Sequence, residues 1–238
     1  MTGFADAMKQ LSRVQKPAKG SAYTLFVNRP AGRVLAAVAT RAGATPNQLT
    51  ALGAAFTFPA LCAVALIRPS PVLAFYVSLA LGLGFALDAA DGQLARLQGT
   101  ESLSGEWLDH VLDCARTVIL HLAILVSFYR FFSLPSPLLL LAPMVFEFAA
   151  VVIFFASMLT EKLKMGMPQI PSAPERRWPI ALLPVDYGVT CISFLFLGLP
   201  DIFIGLYCTL LVAHLLFLAA LTVKCLRTMK RCTQLIEV

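Results

Sequence analysis

The sequence is short of charge. Only 13% of its 238 residues are Asp, Glu, Lys or Arg, against roughly 25% in a soluble domain, which excludes an ordinary water-soluble fold. It also lacks paired cysteines. Cys62, Cys114, Cys191, Cys208, Cys225 and Cys232 form no CxxC pair, which argues against a zinc site or a disulfide framework, and four of them sit in apolar runs where cysteine is a small hydrophobe. The first 45 residues contain no long apolar run. A cleaved secretory leader is therefore not expected, and the N-terminal segment is expected to be retained. No internal repeat is present, and no polar stretch is long enough for a separate soluble domain.

What the chain has is apolar length. Crossing about 30 Å of hydrocarbon takes roughly 20 apolar residues as helix, and six stretches qualify, near 47–68, 72–95, 106–129, 135–159, 179–199 and 202–223. The expected fold is an all-α integral membrane protein with six transmembrane helices preceded by an amphipathic interfacial helix. That helix should start near Pro30, with Arg29, Arg33 and Arg41 set against Val34, Leu35, Ala37 and Val38, and end at Gly43. Further upstream, Phe4, Met8 and Leu11 fall at helical spacing among Lys9, Arg13, Lys16 and Lys19. They form either a short helix on an anionic membrane face or a basic tail without fixed structure. The expected organisation is an N-terminal segment over 1–45, a six-helix catalytic domain over 46–226 and a tail over 227–238.

Sorting the 19 basic residues by side under this plan places sixteen on one face and two, Arg68 and Arg130, on the other, with Arg116 inside a span. That bias puts both termini on the cytoplasmic side of the cytoplasmic membrane. The net charge of +6 then faces anionic lipid, not nucleic acid.

Between the second and third spans, residues 87–116 (LDAADGQLARLQGTESLSGEWLDHVLDCAR) hold six acidic residues. An ionised Asp at the centre of a membrane helix costs about 2.5–3.5 kcal/mol, so the cluster needs a reason. Asp88 and Asp91 are three apart and Asp109 and Asp113 four apart, so each pair shares one helix face. If the two helices are antiparallel neighbours joined by the turn near Gly99 to Ser104, the four carboxylates converge. They would repel one another unless a hard divalent cation joined them, Mg²⁺ being usual beside phosphate. Two ions are plausible, as in two-metal phosphoryl chemistry. Gly92 and Gly105 allow a nucleotide close to the backbone, Ala95 keeps the same face small, and Arg96 suits a phosphate.

The run Asp88-x2-Asp91-Gly92-x2-Ala95-Arg96-x8-Gly105-x3-Asp109-x3-Asp113 resembles the signature of the CDP-alcohol phosphotransferases (CDP-alcohol phosphatidyltransferases), enzymes that make phospholipid head groups. Eight fixed positions over 26 residues match. The six-span plan, the helix before it and Pro46-Asn47-x2-Thr50 extend the resemblance over most of the chain. The resemblance implies Asp88, Asp91, Asp109 and Asp113 as ligands of Mg²⁺ or Mn²⁺, with Asp113 also the base that deprotonates the acceptor. It implies Asn47, Thr50, Asp91, Gly92, Ala95, Arg96 and Gly105 as nucleotide contacts, a CDP-linked donor such as CDP-diacylglycerol, and a homodimer.

The acceptor, a small polar alcohol or alcohol phosphate, is less legible. Arg116, Lys164 and Arg177 are the basic candidates for its binding, Arg116 foremost because an unpaired cation within a span is costly. His110 and Cys114-Ala115, around the last two aspartates, depart from the phosphatidylinositol-phosphate synthase pattern. His110 is expected to point elsewhere on its helix and to serve packing, His121 and His214 to be hydrogen-bonded core residues, and Glu147 and Asp186 to face acceptor hydroxyls or Arg116. A CDP-polyol enzyme of the same family is the nearest alternative. A cation-coupled transporter would want acids spread toward the bilayer midplane and broken-helix repeats, whereas these acids gather near one surface.

Overall fold

The computed structural model describes residues 4–13, 20–165 and 179–236. Its eight α-helices are α1 (Phe4–Arg13), α2 (Arg29–Ala42), α3 (Pro46–Leu66), α4 (Pro71–Gln98), α5 (Leu103–Phe131), α6 (Leu141–Met165), α7 (Tyr187–Ser193) and α8 (Pro200–Ile236), with no strand among the described residues. Five of them, α3, α4, α5, α6 and α8, are long and apolar enough to cross a membrane.

Helix starts follow local chemistry. Thr45 and Gln48 form a reciprocal capping box before α3, whose first residue is Pro46. Ser70 and Ser102 cap α4 and α5 with side-chain oxygens that accept from Leu73 and Gly105 N–H. Gly99, at φ 63°, ends α4 in the left-handed conformation that glycine adopts without strain, so that α5 can turn back. Helix α3 packs against both α4 and α5. Its crossing with α4 is close because Gly53 meets Gly84; a Cβ on Gly84 would collide with Thr57 Oγ1.

Two apolar clusters hold the bundle. One, rich in aromatics, includes Leu81, Ile124, Phe128, Phe146, Phe194, Phe203 and Tyr207. The other, built of smaller residues at the opposite end, joins Ala7 and Leu11 of α1 to Ala36, Ala37, Leu87, Ala90 and Leu94. Of the two readings open for the first residues, the helix is the one observed, but Ala7 and Leu11 are spent on α2 and α4, not on a membrane face. Helix α2 ends at Gly43 as its sequence indicates, and it buries Gly32, Ala36, Ala37 and Ala39 while Val34 and Val38 stay exposed.

The stretch expected as the fifth span, 179–199, is not one continuous helix. A 3₁₀ turn at Leu183–Val185 is followed by α7 and a second 3₁₀ turn at Phe194–Phe196. Pro184 and the cap at Asp186 restart the chain, and Ser193 bonds back to the Thr190 carbonyl at 2.6 Å. Helix α8 has 37 residues, about 55 Å, so its end carries Lys224, Arg227, Lys230 and Arg231 past any hydrocarbon layer. The expected tail is thus helical through Ile236. All six cysteines are free.

Candidate active site

The chain order α4, turn, α5 brings the two aspartate pairs face to face in antiparallel register. Asp88 lies across from Arg116, while Arg96 and Gly105 border the same cleft. The helices do not pack as tight neighbours as expected: α3 contacts both, and α4 and α5 splay around a cleft of about 640 Å³. That splay makes the room. Asn47, Thr50, Asp91, Gly92, Ala95, Arg96 and Gly105, drawn from α3, α4 and α5, all line this one cleft, together with Asp109.

The four carboxylates lie at two depths. Asp91 and Asp109 border the open cleft, whereas Asp88 and Asp113 border a small cavity of about 20 Å³ further in, shared with Thr57 and Arg116. Thr50 touches both levels. Its hydroxyl lies within hydrogen-bond reach of Asp91 Oδ2 and of the Pro46 carbonyl at 3.2 Å, which helps to fix a buried carboxylate.

Arg116 sits behind the carboxylates. It is ion-paired with Asp113 and lies 3.7 Å from Asp88. Its guanidinium lies 4.4 Å from the Tyr187 ring centroid and 5.8 Å from that of Phe85, a stacked arrangement that suits a planar cation. Of the two acids expected to face acceptor hydroxyls or Arg116, Asp186 instead accepts from Ser21, Thr24 and the Gly188 N–H at 2.7 Å. It ties the segment before α2 to the start of α7. Tyr23 in that segment stacks on Phe85 at 6.4 Å, and burial, then the neighbouring Cys191 and Asp186, push its phenol above the usual range.

Lys164 is exposed on the last turn of α6 and does not border the cleft; Arg177 lies outside the described residues. Lys162 instead holds Glu106 at 2.6 Å. His121 and His214 behave as expected of core residues, bonded to Tyr207 Oη at 2.7 Å and to the Leu210 carbonyl at 2.9 Å.

His110 departs from expectation. It lines the cleft, and one donor atom from each of Asp109, His110 and Asp113 can lie within 4.8 Å of the others. Its spacing of three from Asp113 was the available signal, since such residues neighbour on a helix. Tyr187 and Phe85 had no comparable signal, because their part depends on where Arg116 points. The donor set fits a divalent ion: acid oxygens from four aspartates on facing helices, with donor atoms of Asp109, His110 and Asp113 within 4.8 Å of one another.

The chain belongs to the CDP-alcohol phosphatidyltransferase family, whose model matches residues 43–226. It is accordingly a membrane transferase of phosphate-containing groups in phospholipid biosynthesis. Among solved structures, phosphatidylinositol phosphate synthase (PgsA1) of Mycobacterium tuberculosis with CDP-DAG bound is similar, at 22% identity and a TM-score of 0.55 over 85% of this chain and 92% of that one. The same enzyme in complex with manganese and citrate matches equally, over 85% and 88%. That likeness concerns the fold. No curated protein matches the sequence.

Proposed function

We propose that the protein transfers a phosphatidyl group from CDP-diacylglycerol to a small polar alcohol or alcohol phosphate, releasing CMP. The observation that carries this reading is that seven residues from three helices, matched to the family signature or its flank, line one cleft beside the aspartates. An apolar groove of about 480 Å³ between α5 and α6 adjoins the cleft, sharing Leu103, Glu106 and His110 with it, which supports a donor that brings acyl chains. PgsA1, crystallised with CDP-DAG, supports the same donor class.

Asp88, Asp91, Asp109 and Asp113 are the proposed holders of Mg²⁺ or Mn²⁺, two ions by the number and depth of carboxylates. Bound there, the metal would offset charge on the phosphate oxygens and favour ionisation of the acceptor hydroxyl. Arg96 would contact the pyrophosphate, with Gly92 and Ala95 leaving the backbone open to it. Asn47, Thr50 and Gly105 would border the nucleoside. Asp113 would take the acceptor's proton as that oxygen bonds to the β-phosphorus. The phosphoanhydride bond breaks, and CMP leaves with its electron pair. Arg116, next to Asp113, is the first candidate to meet an anionic acceptor, with Arg177 as a further candidate.

The broken stretch is proposed as the sixth crossing. Tyr187 meets Phe85 at 5.1 Å, while a Cβ on Gly198 would run into Ser70 and Pro71. The stretch thus follows α4 over fourteen residues, about 21 Å. Six crossings return both termini and the cleft to the cytoplasmic side, with α2 at the interface, and a homodimer is the proposed assembly. A panel of CDP-linked donors against alcohols and alcohol phosphates, read as CMP and product mass, tests the reading. Turnover with CDP-diacylglycerol supports it, and turnover confined to water-soluble CDP-alcohols contradicts the donor assignment.

A further inference from the structure

We infer that Tyr187 is a positioning residue: its ring holds the Arg116 guanidinium against Asp113, and through that cation sets the orientation of the carboxylate proposed as base. The inference rests on that reading of Asp113. The family signature ends at Asp113, so it assigns neither residue. Arg116 stands three residues beyond it on α5, with its side chain only 12% exposed. Its guanidinium meets Asp113 and lies 3.7 Å from Asp88, while Nε is buried without a hydrogen-bond partner. Tyr187 supplies what no further acceptor does. The guanidinium carbon lies over its ring, 4.4 Å from the centroid.

The ring is itself fixed. Tyr187 is the first residue of α7 and directly follows the Asp186 cap, which Ser21 and Thr24 hold from the segment before α2. Phe85 of α4 meets Tyr187 edge-on at 5.1 Å and lies 5.8 Å from the same guanidinium. Tyr23 stacks in turn on Phe85 at 6.4 Å. A Cβ on Gly188 would collide with the Tyr23 ring, so the residue after Tyr187 is one that lets this packing close. The interruption of the fifth apolar stretch thereby sets an anchored aromatic face beside a buried cation.

An aromatic face suits this task because it attracts a cation without competing for its hydrogen bonds. A carboxylate in its place would draw Arg116 away from Asp113, and an aliphatic side chain would leave the guanidinium free to turn. Stacking instead holds the planar fork with its terminal amines toward Asp88 and Asp113. Arg116 meets Asp113 at Oδ1, so a fixed guanidinium limits rotation of that carboxylate. Misplacing a reacting group by about 1 Å costs about a hundredfold in rate, which is why a residue that touches no substrate can govern turnover.

The test is a series at position 187 of the purified full chain: Tyr187→Phe, then the same substitution with one, two and three ring fluorines, each made with Arg116 present and in Arg116→Met. Fluorination drains negative charge from the ring face with little change of shape, so it weakens attraction to a cation and leaves packing in place. With the donor and acceptor that the panel above turns over, the acceptor saturating, Tyr187→Phe should retain most of the wild-type kcat. Along the fluorinated series kcat should fall stepwise, by about tenfold in all, while the KM for the donor holds. In Arg116→Met the series should be flat. The unfolding midpoint in detergent should fall by roughly 2–4 °C along the series, again only where Arg116 is present, and this reading decides if Arg116→Met has no turnover. A flat series with Arg116 present, or an equal fall without it, overturns the inference and leaves the proposed function standing. No CMP release by wild type from any pair in the panel overturns both.

Discussion

Thr50 and Arg116 show how single side chains organise the site. The Thr50 hydroxyl donates to Asp91, and hydrogen bonds to charged groups are worth about 1.5–3 kcal/mol. Thr50→Val should lower kcat/KM for CMP release by roughly 10- to 100-fold, with Thr50→Ser retaining most of it. Arg116 has the opposite relation to metal. It already compensates Asp88 and Asp113, and breaking a buried pair costs about 3–5 kcal/mol. Arg116→Met should therefore unfold at lower temperature in EDTA, and Mg²⁺ should restore more stability than it gives wild type, as read by thermal unfolding in detergent. Equal Mg²⁺ gains in both proteins would contradict that competition. The aspartates were legible because their spacing is local: i,i+3 and i,i+4 fix a shared face whatever the tertiary fold. Arg116's partners were not, since they depend on how α5 is rotated against α4 and α7.

Among the elements, the most informative is the one that is not a single helix. The chain from Leu183 to Phe196 carries enough apolar residues to read as a span, and hydropathy does not register that Pro184 and Asp186 interrupt its hydrogen bonds. What replaces those bonds is long-range. Asp186 caps α7 and gathers Ser21 and Thr24, and Ser78 of α4 bonds the Cys191 carbonyl at 2.8 Å. Asp186→Ala removes a cap and two hydroxyl partners, so a loss of roughly 2–4 kcal/mol is expected, measured as a lowered unfolding midpoint. Asp186→Asn, which keeps an acceptor, should lose less. The α3–α4 crossing makes a parallel case: Gly84→Ala should cost about 1–3 kcal/mol by overpacking against Thr57, with the same readout. The starts of α3, α4 and α5 were readable within a few residues because Pro and Ser or Thr caps are local signals, whereas the splay of α4 from α5 is a property of α3 packing between them.

For the whole molecule, charge and architecture meet in the number of crossings. Sixteen of nineteen basic residues fall on one side only if the interrupted stretch counts as a crossing; five crossings would put the basic end of α8 opposite the basic N-terminal segment. Tags at the two termini should therefore show the same protease accessibility in inverted membrane vesicles, and opposite accessibility would contradict six crossings. The cleft, with Arg96 and Asp91, comes after two crossings, so under the proposed topology it shares the side of the N-terminal segment whichever count holds. The central claim is that the clustered carboxylates hold metal for transfer from a CDP-linked lipid. Its most direct test is CMP release by purified protein given CDP-diacylglycerol and an alcohol-phosphate panel, with Mg²⁺ or Mn²⁺ against EDTA, for wild type, Asp91→Asn and Asp113→Asn. The account predicts metal-dependent CMP release matched by a phosphatidylated product, lost by at least about a thousandfold in both variants; metal-independent release, or turnover unchanged in both variants, would contradict it.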